Sequence, residues 1–426
     1  MAGSPKQSYK NRKEMEFSMK TILFFSWQHL WSMKNKAGAP SYHHTISYYI
    51  ESDEWDVYLF SADDSNKELK TYLDGKVFLF RDSEAIEKIS TVSKINHLSL
   101  PIKHRHFTKW AVRKASDIID KTDGEIVLYG YEVWGVEAAR QLSEKYGLPL
   151  VTRFQGTIIS YEKHSLLNRL IHYPHYGALE TKADLVIMTD DGTMGDKTLK
   201  ELGNTSHTLF LRNGLDLYEN YELIHRESDR SRLREEMGIA KDEHILLMAS
   251  RLTSWKRVDR GIWAVKALRE RMDNVRLLIA GDGDSRAGLE SLAKELKVDD
   301  IVQFLGSIPQ SRLYRYMIAA DVFLSLYDLG NLGNPTFEAM LMRKAIITLN
   351  GGATASVIHH NENGILLEYS EEKKIPDAIE AVLTDETLKK RIEDGAYSFA
   401  VENFYSWGTR MKVEEDAIAE IVKEHH

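Results

Sequence analysis

DVFLSLYDLGNLGNPTFEAMLMR, residues 321–343, is where the reading begins. Val322, Phe323, Leu324 and Leu326 form a short apolar run, as a buried parallel strand does. Gly330, Asn331, Gly333, Asn334 and Pro335 interrupt it, and residues 336–342 continue as a helix. Asn334 is predicted to cap that helix and Pro335 to open it, where a missing N–H costs little. A strand that turns through glycines into a helix leaves backbone N–H groups open at the helix start. That end carries partial positive charge and suits a diphosphate. Glu338 lies one turn further in. A carboxylate does not bind phosphate, so hydroxyls of a ribose or a sugar explain it better. An ordinary strand–helix joint with a solvated glutamate fits the same residues, and other stretches must decide between the two.

The neighbouring stretches repeat the plan. Upstream, ILLMASR (245–251) is a strand, 258–272 a helix, VRLLIAGDGD (275–284) a strand and turn, 287–296 a helix, IVQFLG (301–306) a strand and 313–320 a helix. Downstream come AIITLN (345–350), GGATASVI (351–358), GILLE (364–368) and a last helix over 405–424. The first half alternates in the same way, with strands predicted over 21–27, 57–60, 77–80, 125–131, 148–157, 183–190 and 207–216. Helices are predicted over 41–50 and 136–147. Such alternation means parallel sheets, and its repetition in the second half fits two α/β domains. The expected division is a polar lead over 1–19, a first domain over 20–216, a charged crossover over 217–243, a second domain over 244–404 and a terminal helix over 405–426.

Composition narrows the function classes. A chain of 426 residues is long for one core, which agrees with two domains. A net charge of −8 argues against bulk nucleic-acid binding. With no cysteine there is no disulfide framework, thiolate nucleophile or cysteine metal site. No apolar run approaches the ~20 residues of a membrane span. Against the acidic background, Lys103, His104, Arg105, His106, Lys109, Arg113 and Lys114 crowd together, with Phe107 and Trp110 between them. This segment reads as a solvated helix face, as a site for a phosphate-bearing acceptor, or as weak contact with an anionic membrane, the two aromatics anchoring it at the interface.

Three strand ends in the second half converge. Arg251 closes one strand and Lys256 follows five residues on, a pair of cations suited to a diphosphate. Gly281, Asp282 and Gly283 close the next, where small residues let a ligand approach. Asn334, Pro335, Thr336 and Glu338 follow a third. Each signal is weak alone; all three at strand ends, in this order, are much stronger.

On SRLTSWKRVDRGI, LLIAGDGDSRAGLESLA, VQFLG, NPTFEAML, GILLEY and FYSWGTRM, the second half resembles the donor-binding domain of the family 4 glycosyltransferases, which have the GT-B architecture. In the first half AGAP, RFQGT and LRNGLD match in character. The resemblance implies two facing Rossmann-like domains with the last helix crossing back to the first. It also implies transfer of a hexose from a nucleotide-diphosphate sugar, with retention and without metal or cofactor. Arg251 and Lys256 would then hold the donor diphosphate and Glu338 the ribose hydroxyls. Gly38 would lie under the phosphates and sugar, Asn213 at the interdomain mouth and Ile308 near the base.

Two positions depart from the family pattern. Gly330 stands where a glutamate is usual, and Asp328, two residues upstream, is expected to take over its sugar contact or else to cap the turn. Gln155 stands where many members have histidine; it can bond a hydroxyl but cannot act as a base. The catalytic set implied is therefore Arg251, Lys256, Asp328 and Gln155. The expected donor is a UDP-sugar, and the expected acceptor a glycan or a lipid-linked group at the cytoplasmic membrane face. A nucleotide-sugar epimerase on the same scaffold and a non-catalytic sugar-nucleotide binder are the alternatives.

Overall fold

The computed structural model describes residues 19–29, 40–62, 76–80, 96–161, 164–215, 227–330 and 332–425. Gly38, Asn331 and residues 217–226 of the predicted crossover lie outside these residues.

The first domain is built on β1 (Lys20–His29), β2 (Trp55–Ala62), β3 (Val77–Phe80), β4 (Ile126–Tyr131), β5 (Leu150–Phe154), β6 (Leu185–Thr189) and β7 (Thr208–Leu211). They form one parallel sheet in the order β3-β2-β1-β4-β5-β6-β7. Both faces are covered, so β1 is apolar without alternation. Ile22 and Phe24 enter the core on one face, and Leu23 and Phe25 the core on the other. The helices of this domain are α1 (Pro40–Ile50), α2 (Asn96–Ile119), α3 (Glu132–Tyr146), α4 (Leu166–Ile171), α5 (Tyr173–Glu180) and α6 (Gly195–Glu201).

α7 (Glu227–Glu236) opens the second part of the described chain. It lies on the second domain, where Arg230 and Arg234 pair with Asp321 at 2.6 and 3.3 Å. Strands β8 (His244–Ala249), β9 (Val275–Ala280), β10 (Val302–Gly306), β11 (Val322–Ser325), β12 (Ala345–Leu349) and β13 (Ile365–Leu367) form the second sheet. Its order is β10-β9-β8-β11-β12-β13. Its helices are α8 (Val258–Leu268), α9 (Arg286–Glu295), α10 (Gln310–Ala319), α11 (Asn334–Leu341), α12 (Ile375–Thr384) and α13 (Glu386–Asn403). The order reverses between β8 and β11, so their C-terminal ends diverge and leave a crevice.

α14 (Trp407–Glu424) returns to the first domain. Trp407, Met411, Ile418 and Ile421 join the same apolar cluster as Ile22, Tyr42 and Tyr129. Its fully buried Glu414 accepts bonds from Tyr129 Oη (2.7 Å), Arg153 (2.9 Å) and Arg410. Glu415 accepts from Trp55 Nε1 (2.9 Å) and Tyr48 Oη (2.8 Å).

Two local expectations are corrected. Gly333, not Asn334, caps α11, because its carbonyl receives the N–H groups of Thr336 (2.9 Å) and Phe337 (3.3 Å). Asn334 is therefore the first helical residue and Pro335 the second. Phe107 and Trp110 are not interfacial anchors: Phe107 is buried against Trp27, and Trp110 packs on Phe60 and Phe80. On α2, helical periodicity turns these rings into the core while Arg105, Lys109, Arg113 and Lys114 stay exposed.

Candidate functional site

The crevice at the β8–β11 divergence gathers the predicted cations. Arg251 is exposed just past the end of β8. The chain then makes a single 3-10 turn, Ser254–Lys256, and passes through Arg257 in the left-handed region (φ 45°) into α8. That turn aims the Lys256 ammonium between two rings, 4.1 Å from the Trp255 centroid and 3.6 Å from that of Tyr327. Burial, aided by Arg251, pushes the Lys256 ammonium down to about 7 although Asp191 opposes the shift.

The glycines after β9 have a packing reason. A Cβ on Gly281 would stand 1.8 Å from the Ser250 carbonyl, so this bend lies directly against the turn that carries Arg251. Asp282 is engaged locally by the Gly283 N–H (2.8 Å) and by Arg286 (3.0 Å). Glu338 is buried on α11, where its Oε1 accepts from Gln310 Nε2 (2.8 Å) and Tyr314 Oη (3.3 Å). Thr336 is buried beside it, and half-buried Ile308 packs on the adjoining apolar core.

Asp328 is tied into an ion cluster. Its carboxylate meets Arg260 at 2.8 Å and Arg257 at 3.2 Å, and its N–H donates to the Trp255 carbonyl at 2.9 Å. It thus clamps the loop after β11 to the Lys256 turn. Gly330, two residues on, has φ 43°, and a Cβ there would lie 3.1 Å from the Asp191 carbonyl oxygen of the first domain. A longer side chain at 330 would have to displace that loop.

The first domain meets this crevice with its own strand ends. Asn213, after β7, donates to Gln155 Oε1 (3.2 Å) and to Asn334 Oδ1 (3.4 Å) across the domain boundary. Its Oδ1 is buried with no hydrogen-bond partner among the described residues. Gln155 Nε2 donates to Tyr131 Oη (3.2 Å), and its backbone N–H donates to Glu132 Oε1 (2.8 Å). The loop after β6 seats in the second domain, Gly192 receiving the Ala353 N–H at 3.2 Å.

Two carboxylates here were missed by sequence reasoning. Glu132 follows β4 with φ 60°, a conformation a non-glycine residue adopts only when its surroundings hold it there. Burial pushes its carboxyl up to about 7 against the pull of the Gln155 N–H and Arg153. Asp191 accepts from Thr193 Oγ1 (2.6 Å) and N (3.0 Å). Burial pushes it up to about 6. The sequence signal for both was position, since Glu132 directly follows β4 and Asp191 lies two residues past β6, each at a strand end of a parallel sheet. Among the described residues, no group of three His, Asp or Glu is gathered that could hold a metal ion.

Two parallel α/β domains that face one another through their strand ends, joined by a returning terminal helix, define the GT-B architecture. Residues 229–399 match the sequence pattern of the family described as Glycosyl transferases group 1. An uncharacterized glycosyltransferase of Methanocaldococcus jannaschii is 26% identical over 320 residues, covering 72% of this chain and 80% of that protein. The N-acetyl-alpha-D-glucosaminyl L-malate synthase of Bacillus anthracis is 29% identical over 185 residues, which span 43% of this chain and about half (48%) of that relative. Among solved structures, Anabaena HepE in complex with UDP-glucose superposes with a TM-score of 0.70 at 20% identity, covering 94% of this chain and 99% of that one. These relatives support a glycosyltransferase, and the structural likeness supports its fold.

Proposed function

We propose that the protein is a retaining, metal-independent hexosyltransferase that uses a nucleotide-diphosphate sugar, UDP-linked by preference, and transfers the hexose to a glycan or lipid-linked acceptor in the cytoplasm. The observation that carries the reading is the pairing of Arg251 with Lys256 at the reversal point of the second sheet, faced across the boundary by Asp191, Asn213 and Gln155. HepE, a neighbour of the same fold, is seen with UDP-glucose.

In this reading Arg251 and Lys256 neutralise the diphosphate, whose charge grows as the bond to the sugar breaks. The start of α11, capped by Gly333 without a side-chain bond, adds its dipole. Glu338, held by Gln310 and Tyr314, accepts from ribose hydroxyls. The open Oδ1 of Asn213 and the amide of Gln155 hold sugar hydroxyls. The acceptor oxygen attacks the anomeric carbon from the leaving group's face. Its proton passes to the departing phosphate oxygen, so Gln155 need not take one. The carboxylate of Asp191 supports the cationic sugar in the transition state, and Asp328 acts indirectly, by fixing the turn between Arg257 and Gly330.

Proton NMR of slow UDP-hexose turnover tests this. The sugar released first should keep the donor's anomeric configuration, and Arg251→Ala should abolish its release. Inversion, or isomerised sugar nucleotide without release, would replace the proposal with an inverting transferase or an epimerase respectively.

A further inference from the structure

α4, Leu166–Ile171, buries none of its six residues. Leu166, Leu167, Leu170 and Ile171 are 83, 66, 75 and 61% exposed. This exposure is a fixed presentation. Ser165 caps the helix by accepting the Asn168 N–H, and Arg169 pins its polar side to α5 through an ion pair with Glu180 and a cation–π contact with Tyr176. Isolated surface leucines need no explanation, but four adjoining aliphatic side chains on one short helix do.

The setting indicates what covers them. Tyr173, just past α4 and 41% exposed, lines a cavity of about 480 Å³ together with Arg105 and Lys109 of α2. The exposed basic face of α2 therefore borders the apolar knob. Among the described residues, Glu180 beside it is matched by Arg169, and Glu137 of the cavity wall by Arg140. A projecting aliphatic knob rimmed by cations, in a chain of net charge −8, is the pattern of an element that lies in a bilayer interface rather than of a protein–protein hot spot.

We propose that α4 inserts its leucines and isoleucine into the interface of an anionic phospholipid bilayer, with Arg105 and Lys109 on the headgroups. The apolar anchor is α4, in place of the aromatics of α2 that the core absorbs. The inference does not depend on the donor chemistry. The test is flotation with phosphatidylcholine vesicles, with and without phosphatidylglycerol, of the wild-type protein, Leu166→Glu/Leu170→Glu and Arg105→Glu/Lys109→Glu. None of the four side chains is in the core, so circular dichroism and UDP binding should be unchanged in both variants. Wild type should float with anionic vesicles at low salt. The leucine variant should lose about tenfold or more of that binding, and the basic variant should fall to the level seen at high salt. Absent flotation, or flotation unchanged by the leucine substitutions, would overturn the proposal. So would a leucine variant whose only effect is to turn a dimer into a monomer, since a second copy would then be what covers α4.

Discussion

Lys256 shows how one residue acquires its chemistry from its surroundings. Burial between Trp255 and Tyr327 brings its ammonium down to about 7, so near neutral pH the unliganded site is only partly charged. A bound diphosphate favours the charged form and raises that value, so binding takes up a proton. Affinity for UDP is then full below about 7 and declines as pH rises through that value, by at most about tenfold per pH unit. Titration calorimetry from acid to alkaline pH should show this slope in the wild-type protein. It should be absent from Lys256→Arg, whose guanidinium stays charged; a pH-independent wild type would contradict it. The two acidic candidates separate by substitution. Asp191→Asn should lower turnover by about tenfold to a hundredfold with UDP affinity retained at pH 6. Asp328→Asn releases the turn held by Arg257 and Arg260, and should act on donor KM more than on kcat. Near-native kinetics in Asp328→Asn, KM included, would leave that clamp without a functional part.

At the scale of elements, α14 is held by charge as well as by apolar contact. Glu414 stands between Arg153 and Arg410 with all three side chains fully buried. Glu414→Gln keeps the shape but leaves two buried guanidiniums without a counter-charge, so it should destabilise the protein by about 3–5 kcal/mol. Urea unfolding followed by circular dichroism measures this, and an unchanged midpoint would mean that the network adds nothing. The elements were largely legible in the sequence, because strands buried on both faces are written as unbroken apolar runs; IVLYGY at 126–131, buried throughout, is β4, one residue shorter than read. The cap of α11 was not, since asparagine favours that position statistically while the actual hydrogen bonds run to the Gly333 carbonyl. Nor was the fate of Phe107 and Trp110. A basic run with interleaved aromatics is written alike whether its rings face a membrane or a core, and only the packing of α2 on β1, β2 and β3 decides.

On the scale of the whole molecule, the second-domain half of the candidate site was readable because Arg251, Lys256 and Glu338 lie in local strand–turn–helix motifs. The first-domain half was mostly hidden. Asp191 and Glu132 come from a different sheet, and nothing local in sequence says that the loop after β6 reaches the space beside Gly330. Asn213 was legible through LRNGLD, and the structure adds its bond to Asn334. On the proposal that Arg251 and Lys256 answer the diphosphate charge, turnover should persist in excess chelator; loss that manganese restores would show that a metal shares the role. The central claim is that these two residues form a nucleotide-diphosphate site, and calorimetric titration of UDP tests it most directly. Saturable binding to the wild-type protein is expected, weakened about a hundredfold in Arg251→Ala and in Lys256→Ala with circular dichroism unchanged. Binding of UDP, GDP and ADP all absent from the wild-type protein, or UDP binding undiminished in both variants, would contradict the account.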